Sequence, residues 1–342
     1  MRILIDAMGG DNAPEAIVKG AVLASKEYNA ELILVGREEK INALLKAEGC
    51  PIGGRVSVVN AEEEITMEDD PATAVRRKKD SSMSVMLNML SRGEGDAAIS
   101  AGSSGALLSG ATLIARRIPG VRRACFAPVI PNGKNGVLLV DSGANCECTG
   151  EYLLQFAYLG HIYAREILGI ASPRVGLLNI GTEDSKGGEL QKSAFALLRA
   201  EHEAGRLNFV GNVESSQFFG DVCDVLVADG FSGNVLLKGI EGTAKFLMSK
   251  LKETFTKSGK NKLAALMIMN DMSELKKLLD SSEAGGTPIL GLRKNVIKIH
   301  GSSDERAVVS AVRQAIRCTE SNVVGCVERN IQYMRMKNTQ EE

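Results

Sequence analysis

The chain has no tryptophan, and aromatic residues make up only 4% of its 342 positions. Base-stacking platforms and aromatic sugar clamps are therefore not expected. Histidine is almost as scarce, with three in all, His161, His202 and His300. That scarcity points to chemistry needing little proton transfer. There is no excess of either charge: the net value is −1, which removes any global electrostatic case for nucleic acid. No run reaches the roughly 18 apolar residues needed to span a bilayer. The opening MRILIDAMGG reads as a buried strand and turn rather than a signal peptide. The seven cysteines are odd in number and scattered, so reduced thiols and a cytoplasmic location are the expectation. Cys146 and Cys148 form a C-x-C with no second pair or nearby histidine, and no metal or cofactor is expected there.

What remains is ordinary globular material, 44% apolar and 24% charged. Short apolar runs alternate with helical patterns almost throughout. Strands are predicted at 2–6, 31–35, 56–59, 96–100, 126–130, 136–140, 174–179, 207–210, 224–228 and 295–299. Helices are predicted at 14–28, 38–47, 82–91, 104–116, 151–168, 188–201, 233–256 and 303–322. Such alternation predicts an α/β fold, a mostly parallel sheet covered by helices on both faces. Pro131-Asn132-Gly133 between two adjacent runs predicts one antiparallel hairpin. No linker divides the chain, so residues 1–330 are expected to form one catalytic domain with a central cleft. Residues 257–287 read as an inserted helical element, with LAALMIM at 263–269 and basic flanks Lys260, Lys262, Lys276 and Lys277. Residues 331–342 read as a loose tail.

Ligands of open α/β sheets gather at the carboxyl ends of strands. The richest such end is the first: Ile3-Leu4-Ile5 closes on Asp6, then Gly9-Gly10, Asp11, Pro14 and Glu15. Six further strand ends have similar texture. They carry Gly102-Ser103-Ser104-Gly105, Asp141 to Asn145, Asn179 to Gly188, Gly211-Asn212-Glu214, Asp229 to Asn234, and His300-Gly301-Ser302-Ser303. Glycine lets backbone approach a ligand, and hydroxyls and amides can donate to an anion. Seven such ends together predict a functional cleft. Individually, Ser103 or Ser303 can equally cap its helix, and Lys186 can equally be a solvated lysine. Asp6, Asp11, Asp141, Glu183 and Asp229 would repel phosphate unless cations intervene. Their alternative uses are to orient neighbouring groups, to hold Mg²⁺, or, for Asp11 or Asn12 with Glu15, to cap the first helix. No nucleophile–base pair or G-x-S-x-G elbow is present.

These motifs resemble those of the bacterial acyl-acyl-carrier-protein:phosphate acyltransferases, the PlsX family, over residues 1 to about 325. DAMGGD at 6–11 with Pro14, SAG-x-x-GA at 100–106, GAN at 143–145, NIG with ED-SKG at 179–187, GNVE at 211–214, DGF-x-GN with Lys238 at 229–238, and HGSS at 300–303 occur in order. The chain departs from the usual pattern at Ser103-Ser104 (Asn-Thr), Ser142 (valine) and Ser232 (threonine), each change keeping or adding hydrogen-bonding capacity. The resemblance implies a three-layer α/β/α fold like that of phosphotransacetylases and isopropylmalate dehydrogenases, and a homodimer. It implies transfer of a fatty acyl group from acyl carrier protein to inorganic phosphate. The acyl phosphate would feed a membrane glycerol-3-phosphate acyltransferase in phospholipid biosynthesis. No cofactor is implied.

Phosphate is itself a nucleophile and a thiolate a fair leaving group, so the protein needs chiefly to bind, orient and stabilise an oxyanion. On this reading Lys186, Asn234, His300 and Ser302 are the expected catalytic set. Asp6, Gly9, Gly10, Asp11, Gly102, Ser103, Ser104, Gly105, Asp141, Asn145, Asn179, Gly181, Asn212, Asp229, Gly233 and Ser303 are expected to bind substrate. Acyl carrier proteins are acidic, and Arg76-Arg77-Lys78-Lys79 or the set Arg116, Arg117, Arg122 and Arg123 would receive one. The 257–287 element would serve dimerisation or peripheral membrane docking. The rival functions are a phosphotransacetylase acting on short-chain acyl-CoA, an NAD- and metal-dependent decarboxylating dehydrogenase, and a non-catalytic acyl-lipid sensor.

Overall fold

Alternate residues of the first apolar run point to opposite sides, as a strand buried on both faces requires. Ile3 and Ile5 enter one apolar cluster with Ile17, Val18 and Val308, whereas Leu4 enters another with Met83, Met86 and Leu87. The computed structural model describes residues 1–50, 54–134, 136–268, 272 and 285–334. Its strands are β1 (Arg2–Asp6), β2 (Glu31–Gly36), β3 (Val56–Asn60), β4 (Ala97–Ser100), β5 (Cys125–Phe126), β6 (Val129–Ile130), β7 (Val137–Val140), β8 (Arg174–Asn179), β9 (Asn208–Glu214), β10 (Val225–Val227), β11 (Thr287–Leu290) and β12 (Asn295–Lys298). Its helices are α1 (Glu15–Glu27), α2 (Glu38–Ala47), α3 (Ala74–Arg77), α4 (Ser82–Ser91), α5 (Ser104–Gly110), α6 (Gly150–Glu166), α7 (Glu189–Glu203), α8 (Gly230–Thr256), α9 (Gly259–Met267), α10 (Glu305–Glu320) and α11 (Val323–Asn330).

The architecture is the three-layer α/β/α one, with the strands divided between two mostly parallel sheets rather than held in one. The first runs β3-β2-β1-β4-β12-β11-β5 and the second β6-β7-β10-β8-β9. β1, β2, β3, β4 and β12 are parallel, as are β7, β8, β9 and β10. The largest apolar cluster joins both sheets: it holds Ile3 and Leu32 of the first, Val140, Val175 and Val225 of the second, and Phe156 and Tyr163 of α6.

Three expectations are corrected. The run 126–130 is not one strand: β5 pairs with β11 in one sheet and β6 with β7 in the other. Pro128 lies at the crossover, where its missing N–H breaks no ladder. The hairpin predicted from Pro131-Asn132-Gly133 is present as β6 and β7. β9 continues through Glu214, so Gly211 and Asn212 lie within a strand and not after one. Gly211, at φ +97°, lets the strand pass a register shift opposite Val175 and Gly176. β11 is a strand that the pattern reading missed.

α8 runs for 27 residues, with only Gly230 and Gly233 buried, and α9 follows it. The residues 269–271 and 273–284 of the expected inserted element, and 335–342 of the expected tail, lie outside the described residues. No described helix is long and apolar enough to cross a membrane.

Candidate active site

The parallel order places the carboxyl ends of β1, β4 and β12 side by side, and their loops interlock. Asp6 is fully buried and accepts from Ser82 Oγ and Ser100 Oγ, each at 2.6 Å, and from the backbone N–H groups of Gly9 (3.1 Å) and Met8 (3.3 Å). Burial raises its carboxyl above the usual range, and these four donors work against that rise. Ser100 Oγ also accepts from Gly102 N–H at 3.0 Å. Gly10 sits at φ +108°, with space for a Cβ closed by Ala101 and by Gly301 O. Asp11 N–H donates to Gly301 O at 2.7 Å, and Asn12 Nδ2 donates to Ser302 O and Ser303 O. Asp6, Asp11 and Asn12 thus orient three loops. Neither Asp11 nor Asn12 caps α1 through its side chain, because Pro14 occupies the cap position.

The second sheet is organised in the same way at the end of β7. Asp141 is buried and accepts from the N–H groups of Phe126 (2.9 Å) and Asn145 (2.7 Å), and from Ala144 N–H and Asn145 Nδ2. Burial raises this carboxyl too. Asn145 Nδ2 also donates to Ala124 O at 2.8 Å. Asp229 caps α8, accepting from Ser232 N–H at 2.9 Å and Ser232 Oγ at 2.7 Å. A Cβ at Gly233 would lie 1.9 Å from Asp141 O, so glycine is what lets α8 start against the β7 loop. Asp141, Asn145, Asp229 and Gly233 are therefore supports, set back from the solvent-facing wall.

Between these two sets of loops lies a cavity of about 320 Å³. Ser104, Lys298, His300 and Ser303 reach it from the first sheet, Ser142 and Gly143 from the second, and Asn234 and Lys238 from α8. Phe126, Pro128, Val129 and Ile130 of the crossover complete the lining. Of the residues proposed from sequence, Ser104, Asn234, His300 and Ser303 line this cavity. Ser103 does not; its Oγ accepts from Ala106 N–H and caps α5. Gly9, Gly102 and Gly105 pack against neighbouring loops, Gly105 against Pro71. Ser302 is exposed and outside the lining: its Oγ is 2.8 Å from His300 Nδ1, which also accepts from Ser302 N–H. The ring proton of neutral His300 is therefore on Nε2. Partial burial and the nearby Lys238 hold the imidazole below its usual pKa, so it is neutral at pH 7.

Lys298 was missed because it ends a strand read as apolar. Only 9% exposed, it donates from Nζ to Ala101 O at 3.3 Å and to Ile299 O. Burial pulls its pKa down to about 8, against the opposing pull of Asp6 and Asp11. Lys186, the cation expected from sequence, is not in the lining. Its side chain is 46% exposed and lies 3.7 Å from Glu183. Gly181 packs within the same loop, against the Glu183 and Lys186 side chains. Asn179 Nδ2 and Asn212 Nδ2 tie that loop to the sheet through Lys186 O (3.1 Å) and Glu183 O (2.8 Å).

A second hollow, a groove of about 830 Å³, runs between this loop and α8. Asn179, Ile180, Phe231, Val235, Leu236 and Leu247 line it, and it shares Phe219, Ile240 and Ala244 with the smaller cavity. A cavity with a lysine, an imidazole, hydroxyls and an amide set in a largely apolar lining therefore adjoins an apolar groove.

The sequence as a whole matches the model of a family described as "Fatty acid synthesis protein" over residues 1–325. A phosphate acyltransferase of Geobacillus thermodenitrificans is 47% identical over 335 residues, covering 97% of this chain and 99% of the relative. The chain belongs to the phosphate acyltransferase family. It is an acyltransferase of fatty acid and phospholipid biosynthesis. A further relative, the phosphate acyltransferase of Clostridioides difficile, is 43% identical and covers 100% of this chain and 99% of its own. Among solved structures, a phosphotransacetylase from Streptococcus pyogenes matches with a TM-score of 0.61 at 17% identity, covering 95% of this chain and 94% of its own. A 4-hydroxythreonine-4-phosphate dehydrogenase from Klebsiella pneumoniae matches with a TM-score of 0.53 at 12% identity, over 93% and 97% of the two chains. Those two likenesses concern the fold alone.

Proposed function

We propose that the protein transfers a fatty acyl group from acyl-acyl carrier protein to inorganic phosphate, releasing acyl phosphate and the free carrier thiol. The observation that carries this reading is a lysine-bearing cavity, with hydroxyl, imidazole and amide groups in its wall, lying against an apolar groove. The cavity suits phosphate and the reacting carbonyl, and the groove suits an alkyl chain. A phosphate oxygen attacks the thioester carbonyl, the C–S bond breaks, and the proton of hydrogen phosphate ends on the thiol. Ser104, Asn234, Ser303 and the Nε2–H of His300 are the donors available to a developing oxyanion. One such donor is worth roughly 3–4 kcal/mol in acyl transfer. The acyl phosphate then serves a membrane glycerol-3-phosphate acyltransferase.

Phosphate-dependent release of carrier thiol from a long-chain acyl carrier protein tests this directly. Turnover confined to acetyl-CoA would replace it with the short-chain phosphotransacetylase reading. Acyl binding without turnover would replace it with the sensor reading.

The carrier protein is proposed to dock on the Arg76-Arg77-Lys79 face. α3 packs against α5, and the preceding Pro71 touches Gly105, close to Ser104 in the cavity wall. The other basic set begins at Arg116 and Arg117, which pair with Arg293 and Leu292 before β12 starts. They thus sit at the amino end of β12, whereas Lys298 lies at its carboxyl end, beside the cavity. Charge reversal at Arg76 and Arg77 is expected to raise the Michaelis constant for the carrier substrate and weaken its salt dependence; reversal at Arg116 and Arg117 is not. We also propose that the exposed apolar side chains of α8 and α9, among them Phe246, Leu263, Leu266 and Met267, form a homodimer contact. Leu266→Asp should then shift the oligomeric state; loss of liposome flotation with an unchanged oligomer would favour membrane docking instead.

A further inference from the structure

We infer that Lys298 is the cation that holds the acceptor phosphate. The inference rests on the acyl transfer to phosphate proposed above. It starts from an anomaly in β12. The strand is buried from Val296 onward, yet its last residue is a lysine. A buried ammonium is costly unless it is paired or used. No carboxylate among the described residues lies within ion-pairing distance of Lys298 Nζ. An ammonium has three N–H donors. Ala101 O and Ile299 O take two, both from backbone that the interlocked loops hold in place. The third donor remains for a ligand in the cavity that Lys298 lines.

The neighbouring groups favour this use. Asp6 and Asp11 are close enough to sustain the positive charge, and Lys238 of α8 opposes it. Asp6 is already saturated by four donors, so it does not compete for the ammonium. Ser104, Ser303, Asn234 and His300 line the same cavity and can share the remaining phosphate oxygens. The other lysines of the region are committed elsewhere. Lys186 lies beside Glu183, outside the cavity, and Lys238 pairs with Glu241 at 2.8 Å. This lysine also resolves the conflict posed by acidic strand ends around an anion: the carboxylates orient loops and support Lys298, and Lys298 faces the phosphate.

The test uses the full-length enzyme, long-chain acyl carrier protein and inorganic phosphate. Lys298→Met should raise the Michaelis constant for phosphate at least tenfold and leave that for the acyl donor within about twofold. In the wild type, kcat/KM for phosphate should fall as pH rises through about 8, where the free enzyme's ammonium is lost. Lys298→Arg keeps its charge at all accessible pH values, so it should restore phosphate binding and abolish that fall. An unchanged phosphate constant in a folded Lys298→Met variant overturns the inference. If that variant does not fold, amine labelling of the wild type decides: inorganic phosphate should protect Lys298 from modification, and equal labelling with and without phosphate overturns the assignment. A wild type with no phosphate-dependent thiol release, yet with Lys298 protected by phosphate, would sink the acyl-transfer reading and leave the phosphate site standing.

Discussion

Two loops of similar texture, each a strand end with glycine and hydroxyl groups, hold their lysines in opposite ways. Lys298 at the end of β12 is only 9% exposed, donates to two fixed carbonyls and faces the cavity. Lys186 in the loop after β8 is 46% exposed and rests beside Glu183. The difference lies in what surrounds each loop. The β12 end is locked by the loops of β1 and β4, with Asp6 at their centre. The β8 loop is tied to the sheet by two asparagine amides and to α7 by the Asp184–Arg199 pair at 2.8 Å, and its Ile180 is 82% exposed. Glycine-rich composition marks where a site can be. The number of neighbouring strand ends that converge decides whether a side chain there is preorganised.

The largest expected effect comes from unlocking the rigid side. Asp6→Ala leaves Ser82, Ser100 and two backbone N–H groups without their acceptor in a buried place. It should cost about 3–5 kcal/mol in urea unfolding. A loss below 1 kcal/mol would show that the three loops do not depend on this carboxylate.

A somewhat smaller effect concerns the charge of Lys298. Its folded-state pKa lies near 8, below the ordinary lysine value, so the unfolded chain binds more protons between that pH and about 10.5. The penalty of the buried ammonium is thus fully present below pH 8 and is relieved as pH rises towards 10.5. Relative to Lys298→Met, the wild type should gain on the order of 3 kcal/mol over that window, at about 1.4 kcal/mol per pKa unit. Parallel stability curves for the two proteins would mean that the lysine titrates normally. Gly233→Ala tests the opposing wall, because its added methyl meets Asp141 O. A cost of about 1–3 kcal/mol is expected, together with weaker acyl transfer from displacement of Asn234. The smallest effect belongs to the exposed loop. Lys186→Ala removes a solvent-facing ion pair and should change stability by no more than roughly 0.5 kcal/mol. A large rise in the phosphate Michaelis constant in that variant would break the comparison, since it would require the β8 loop to close over the cavity during turnover.

Much of this molecule was legible in its residues. The strand and helix alternation, the hairpin at Pro131-Asn132-Gly133 and the run of glycine-rich strand ends all follow from local patterns. So does the site's general position. Individual roles were less legible, for identifiable reasons. Ser103 and Ser104 are adjacent hydroxyls at a helix start, and only the cap geometry sends one to Ala106 N–H and the other to the cavity. Asn212 looked like a loop residue because Gly211 normally ends a strand; here it passes a register shift. The 126–130 run looked continuous because local composition does not say that its two ends belong to different sheets.

The family, the order of elements and the chemical types gathered at the strand ends are all written in the residues. These depend on short-range patterns and on motifs that survive in line. Which strand ends meet, which carboxylates become supports, and that Lys298 and not Lys186 lines the cavity emerge from the folded arrangement alone. The physical reason is register. In a strand a one-residue step reverses the side of the sheet that a side chain faces, and sheet order decides which loops become neighbours. Neither quantity is written in any single stretch of the chain.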